Sequence, residues 1–160
     1  MRRTYRILAI AIVVLVGVQA AAIAWGDSSM GEYVMGGSVI DQSLFTDESG
    51  SVPFVGVYGF IVHGMSGTLL IPAVAIALLV ISFFAKFPRA TFWAVVVLVL
   101  VALQVTLGML SHGLAILGAF HGLNALALAA AAFYAQLIAG RARKEPVRKV
   151  TSAAETPTAV

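Results

Sequence analysis

Four stretches of the chain, 7–25, 54–85, 90–110 and 114–139, contain no Asp, Glu, Lys or Arg. A hydrocarbon layer about 30 Å thick is crossed by roughly 20 apolar residues in an α-helix, so each stretch predicts one membrane span. Transmembrane barrels alternate apolar and polar positions over short segments, and these runs do not. The pattern predicts an all-α, integral membrane four-helix bundle forming one domain over 1–143, with an external loop at 26–52. The loop is rich in Gly, Ser and Asp, with Tyr33, Val34, Val39, Ile40, Leu44 and Phe45 scattered through it. That scatter fits a short amphipathic helix lying on the membrane surface. Beyond the fourth run, 144–160 is polar and Pro-containing, and reads as a disordered tail. Pro72 predicts a kink within the second span.

The charges outside the runs set an orientation. Arg2, Arg3 and Arg6 precede the first run, Lys86 and Arg89 sit between the second and third, and Arg141, Arg143, Lys144, Arg148 and Lys149 follow the fourth. The 26–52 loop instead carries Asp27, Glu32, Asp41, Asp47 and Glu48 and no basic residue. Basic loops stay on the cytoplasmic side. The chain therefore reads as N-in/C-in, multi-pass in the cytoplasmic (plasma) membrane, with both termini cytoplasmic. The N-terminal MRRTYR and a run closing on AAAIAWG share features with a cleaved signal peptide. Closure on Trp25, an interfacial anchor, favours a retained helix.

Composition narrows the chemistry. Of 160 residues, 61% are hydrophobic and 11% charged, too apolar for an ordinary soluble domain. There is no cysteine, which excludes disulfides, thiolate-bound iron–sulfur clusters and haem attached through C-x-x-C-H. A cofactor would rest on His, Met or oxygen ligands. The net charge of +3 sits in the flanks and tail, where lipid headgroups and topology account for it, so nucleic acid is not expected as a partner. The lack of a carboxylate within the spans speaks against an Asp/Glu proton relay. Nucleotide loops, nucleophile elbows and zincin motifs are absent as well.

Besides the flanking charges, the ionisable residues that stand out within the spans or just past them are the three histidines, His63, His112 and His121. The intervals His63–Lys86, Arg89–His112 and His121–Arg141 each cover 20–23 residues. At 1.5 Å per residue that is about 30–35 Å, so all three lie at one level near the outer edge of the hydrocarbon layer. Residues three and four away share a helix face with each histidine. For His63 these include Gly59, Ser66 and Gly67, with Phe60 the bulky member. For His121 they include Gly118, Asn124 and Ala125, with Leu117 the bulky member. Two imidazoles at matched height on small-residue faces fit metal or haem ligation. His112, between Ser111 and Gly113 at a span end, is a weaker third ligand. Interhelical hydrogen bonding is the other reading of such histidines, and small residues also serve close helix packing. Gln19, Ser66, Thr68, Gln104, Thr106 and Asn124 form a polar layer near the same level, with Gln136 at the other end. A ligating imidazole donates its second N–H to an acceptor, and Ser66, Gln104 and Asn124 are candidates. Met30, Met35, Met65 and Met109 are alternative ligands that no other feature singles out.

Leu103–Leu110 (LQVTLGML), Phe120–Leu126 (FHGLNAL), and histidines near the outer starts of the second and fourth spans together resemble one four-helix half of the haem A synthase family. The resemblance covers roughly 53–139, and small four-helix membrane proteins of unassigned function share the layout. It implies a haem b held between His63 and His121. Where the catalytic half of that family has Glu three residues before the second-helix His, this chain has Phe60. Where Arg commonly follows that His, it has Gly64, and the external cysteine pair of some members is missing. The likeness is to the non-catalytic, cofactor-holding half, and no haem-oxidising activity is expected. The resulting expectation is a b-type cytochrome-like protein for electron transfer or a respiratory accessory role. Its partners would be the lipid bilayer, respiratory-chain proteins or quinone, or a second copy in a homo-oligomer. The alternatives are a cofactor-free helical accessory subunit and a three-His copper or zinc site.

Overall fold

The computed structural model describes residues 1–41 and 52–141. Every regular element among them is helical: α1 (Arg2–Met35), α2 (Val57–Met65), a π-helical turn (Ser66–Leu70), α3 (Ile71–Ser82), α4 (Ala90–Ser111) and α5 (Ile116–Arg141). The segment Val57–Ser82 runs continuously, so there are four helices long and apolar enough to cross a membrane. They alternate in direction. Each packs on the next, and α5 returns to α1, which places span two diagonally across from α5. Arg2, Lys86, Arg89 and Arg141 gather at one end, the basic end, whereas Asp27 and Glu32 lie near the other, the acidic end. Large apolar side chains cover the outside, among them Val14, Leu69, Phe92, Leu123 and Leu126. Such a surface suits contact with a bilayer.

The apolar core occupies the basic half alone. Tyr5, Ala9 and Ile12 of α1, Ile71, Ala75 and Leu78 of α3, Ala90, Ala94, Val97 and Val101 of α4, and Leu128, Ala132, Ala135 and Ala139 of α5 interlock there. The spacing of three and four residues is that of one helix face, and alanine at half of these positions lets the backbones approach closely. The turn between spans two and three is tied to the start of α1. Arg2 Nη2 donates to the Lys86 carbonyl at 2.9 Å, Tyr5 Oη donates to the Ala90 carbonyl at 3.1 Å, and the Tyr5 ring stands edge-on to Phe87.

Two features depart from the sequence reading. The first helix does not stop at Trp25 but continues to Met35, so ten residues assigned to the loop are helical. Small residues explain it. Gly26 and Ser29 are buried against the start of span two, where Gly56 N–H donates to Ser29 Oγ at 3.1 Å and Tyr33 meets Phe54. The surface helix expected in this segment is thus an extension of α1. Leu44, Phe45 and the tail at 144–160 lie outside the described residues.

The second departure is the wide turn in span two. Pro72 has no N–H to give the Thr68 carbonyl, and its ring would crowd that oxygen in a regular α-helix. The Ile71 N–H instead reaches back five residues to the Ser66 carbonyl, a π turn that absorbs one extra residue. The consequence is rotational. His63 lies eight residues before Ile71, the first buried position of α3. At about 100° per residue an unbroken α-helix would set it about 80° off that face; absorbing one residue reduces the offset to about 20°. The π turn is what carries His63 toward the bundle axis.

Candidate functional site

The acidic half of span two rests on α1 through small residues. A Cβ on Gly59 would come within 3.0 Å of the Gly26 nitrogen, and one on Gly26 within 2.7 Å of Phe60 Cε1. Ala22, Gly26 and Ser29 thus face Gly56 and Gly59 at backbone distance. One turn further along this contact, His63 Nδ1 meets the Gln19 carbonyl oxygen at 3.2 Å. The Gln19 side chain continues the contact: its Nε2 donates to Ser66 Oγ, which itself donates to the Val62 carbonyl. Gly67 leaves the space that the Gln19 amide fills, since a Cβ there would sit 3.2 Å from Oε1.

On the opposite side α4 holds His121 in a similar way. His121 Nδ1 lies 3.0 Å from the Gln104 carbonyl oxygen, and Gln104 Nε2 donates in return to the His121 carbonyl at 3.1 Å. Asn124, one turn on and buried, donates through Nδ2 to Gln104 Oε1 at 2.6 Å and to the Leu100 carbonyl at 2.9 Å. Gly108 makes the approach possible. It lies one turn from Gln104, and a Cβ there would stand 3.0 Å from His121 Cε1.

A carbonyl oxygen only accepts hydrogen bonds, so in both rings Nδ1 is the donor, and in the neutral imidazole Nε2 then keeps its lone pair. Among the described residues no hydrogen bond reaches either Nε2. The two rings, from diagonally opposed helices, meet with centroids 6.0 Å apart and planes at 54°. Two metal–nitrogen bonds of about 2.0 Å, with about 1.2 Å from each nitrogen to its ring centre, put collinear axial imidazoles about 6.4 Å apart. Rotation about such bonds leaves the interplanar angle free. The centroid separation lies within a few tenths of an ångström of that value, and two imidazoles are a donor set compatible with ligating one metal ion.

The other residues anticipated for the site divide. Gln104 and Asn124 do support His121, Gln104 through its backbone carbonyl, and Ser66 reaches His63 only indirectly, by way of Gln19. Gly59 is taken up in packing against α1 rather than flanking an imidazole, because four residues before His63 the helix face has turned toward α1. Gly67 faces Gln19, and Gly118 is exposed with Ser111 Cβ 4.0 Å from where its own Cβ would be. His112 caps the end of α4 and is exposed, and no three His, Cys, Asp or Glu side chains come together among the described residues. That removes the geometry a three-His site requires. Thr68 and Thr106 fold back onto their own helices at Gly64 and Ala102, and Met35, Met65 and Met109 point outward. Phe60, at the position of the resembled family's Glu, packs edge-on to Phe54.

The Gln19 carbonyl and Gly108 were not anticipated as site features. The Gln-x-x-x-Gly spacing of Gln104 and Gly108 was the available signal: one turn apart, they pair a polar anchor with a cleared surface. No family model, no curated protein and no solved structure matches this chain.

Proposed function

We propose that this chain is a membrane b-type haem protein, with a single haem held between His63 and His121, serving electron transfer or a respiratory accessory role. One observation carries the reading: two Nδ1-protonated imidazoles from diagonal helices, 6.0 Å between centroids, each with its second nitrogen uncommitted. When bound, haem would supply a one-electron iron couple, and His63 and His121 are the residues that would hold it, a donor set suited to electron transfer. The chain's own residues orient and tune. The Gln19 and Gln104 carbonyls fix the tautomer and ring direction and raise the basicity of each ligating nitrogen. Gln104 and Asn124 brace His121 from behind. Toward the acidic end from the histidines no apolar side chain larger than Ala22 is buried among the described residues.

By the distribution of basic residues the basic end faces the cytoplasm. The histidine pair then lies toward the outer face of the cytoplasmic membrane, within reach of respiratory-chain proteins or quinone. The position of the resembled family's catalytic Glu holds Phe60, so the role is electron carriage rather than haem oxidation. A reduced-minus-oxidised absorption spectrum of protein purified from haem-replete cells tests this. Low-spin haem b is expected, lost in His63→Ala and in His121→Ala and kept in His112→Ala.

A second reading is a cofactor-free accessory subunit. The observation favouring it is that each imidazole already bonds a neighbouring helix, His63 to α1 and His121 to α4. Colourless, folded protein that tolerates both substitutions would select it.

A further inference from the structure

At the basic end, away from the histidines, α4 and α5 part around a cleft of about 300 Å³. Trp93 and Tyr134, with ring centroids 4.6 Å apart, line it together with Ile138, Arg89 and Arg141. Among the described residues the carboxylates are Asp27, Glu32 and Asp41, in the acidic-end part of the chain, so none neutralises this pair.

Arg89 is placed against its own local preferences. It holds φ +63°, the left-handed region that costs a side-chain-bearing residue about 1–2 kcal/mol. It also sits as the N-cap of α4 with no side-chain cap bond, a cation at the end of the helix where the dipole favours an anion. Lys86, three residues earlier, is left-handed as well, φ +52°. Among the described residues nothing offsets a positive charge held there, whereas an anion in the cleft would. The cleft also has an apolar body. An indole, a phenol and Ile138 line it at the depth where aromatic side chains meet lipid headgroups.

We infer that this cleft is a binding site for an anionic phospholipid, the phosphate between Arg89 and Arg141 and an acyl chain along Trp93, Tyr134 and Ile138. Guanidinium pairs suit phosphate oxygens in geometry and charge. Basic clefts between membrane helices select anionic headgroups, each basic side chain contributing about a factor of five in affinity. The inference is independent of any cofactor at the histidines.

The probe is Trp93 itself. In a Trp25→Phe background it is the sole tryptophan, and its fluorescence is quenched by a brominated acyl chain in contact with it. Full-length protein in mixed bilayers should be quenched by brominated phosphatidylglycerol with about twentyfold higher affinity than by brominated phosphatidylcholine. Arg89→Gln with Arg141→Gln should abolish that preference, while Arg3→Gln, an exposed cation at the same end, should keep it. Equal quenching by the two lipids would overturn the inference, as would a preference that survives the double substitution. Displacement of the quenching lipid by millimolar inorganic phosphate would reassign the site to a free anion and sink the lipid proposal.

Discussion

The two halves of this bundle are held by different means. Toward the basic end the four helices interlock through Ile12, Leu78, Val97 and Leu128 with alanines between them, a dry and continuous core. Toward the acidic end the apolar core stops. Contact there is backbone to backbone, Gly59 on Ala22 and Gly26, aromatic, Phe54 on Tyr33 and Phe60, or polar, His63 on Gln19 and His121 on Gln104. Lipid tails are as apolar as leucine, so association of membrane helices comes from close packing and hydrogen bonds rather than from water exclusion. The basic half uses mainly the first and the acidic half adds the second. A half whose interior is polar and anchored at fixed points can hold a group at the bundle axis; a half whose axis is filled by interdigitated side chains can hold one only at its periphery, as in the cleft lined by Trp93 and Tyr134. The candidate site lies where the difference would put it.

The largest effects should come from chain deletions in span two, where the two halves join. Removing Ile76, an exposed residue of α3, rotates everything on one side of it by about 100°. Either Ile71 and Ala75 or Leu78 and Ser82 then leave the core face, and no folded protein should be recovered by size-exclusion chromatography. Removing Leu69, equally lipid-facing but within the π turn, takes out the one extra residue, and a helix kinked at Pro72 closes the gap with His63 and Leu78 still in phase. The Leu69 deletion should elute as folded monodisperse protein. Similar damage from both deletions would show that the π turn does not set the phase of span two.

Next in size are substitutions that test backbone contact. Gly59→Leu drives a side chain into Ala22 and Gly26 and should cost about 3 kcal/mol or more in detergent unfolding, at the upper end for overpacking. Gly64→Leu, five residues on with no atom within 4 Å of the added Cβ, should stay within about 0.5 kcal/mol. In the basic half the corresponding pair is Leu78→Ala, fully buried, against Leu69→Ala, 64% exposed. The first should lose about 2–4 kcal/mol to a cavity and the second almost nothing. A small Leu78 effect would mean that the basic half is looser than its burial indicates.

These contrasts also mark what could be read from residues alone. Four apolar runs and the depth of His63 and His121 were legible, because hydropathy and a 1.5 Å rise require nothing about neighbours. The helix through Met35 was hidden because Gly26, Asp27, Ser28 and Ser29 are poor helix formers taken singly. Their role emerges only when Gly56 and Phe60 lie against them. The π turn was hidden because residues near it are apolar on every side, and hydropathy carries no rotational phase without a polar face. Pro72 did signal an irregularity, and what it marks is a π turn that changes the register. The partners of the imidazoles were hidden for another reason. They are main-chain carbonyls, present at every position, and only a gap such as Gly108 distinguishes the one a side chain can approach.

The smallest predicted effects sharpen the comparison most. Tyr5→Phe removes one hydrogen bond to Ala90 while Phe87 still fixes the ring, and Asn124→Ala removes those to Gln104 and Leu100. Each should cost about 0.6–1.7 kcal/mol, the range for hydrogen bonds between membrane helices. The two should differ in what they couple to. Gln104→Ala releases the same His121 that Asn124 braces, so the Asn124→Ala/Gln104→Ala cycle should show an interaction of at least about 0.5 kcal/mol. Tyr5→Phe combined with Gln104→Ala should be additive within about 0.3–0.5 kcal/mol, as for distant residues without shared partners. An additive Asn124–Gln104 pair would mean that His121 is held by α4 packing at Gly108 and not by the amide network. Coupling between Tyr5 and Gln104 would mean that the two halves transmit strain as one body.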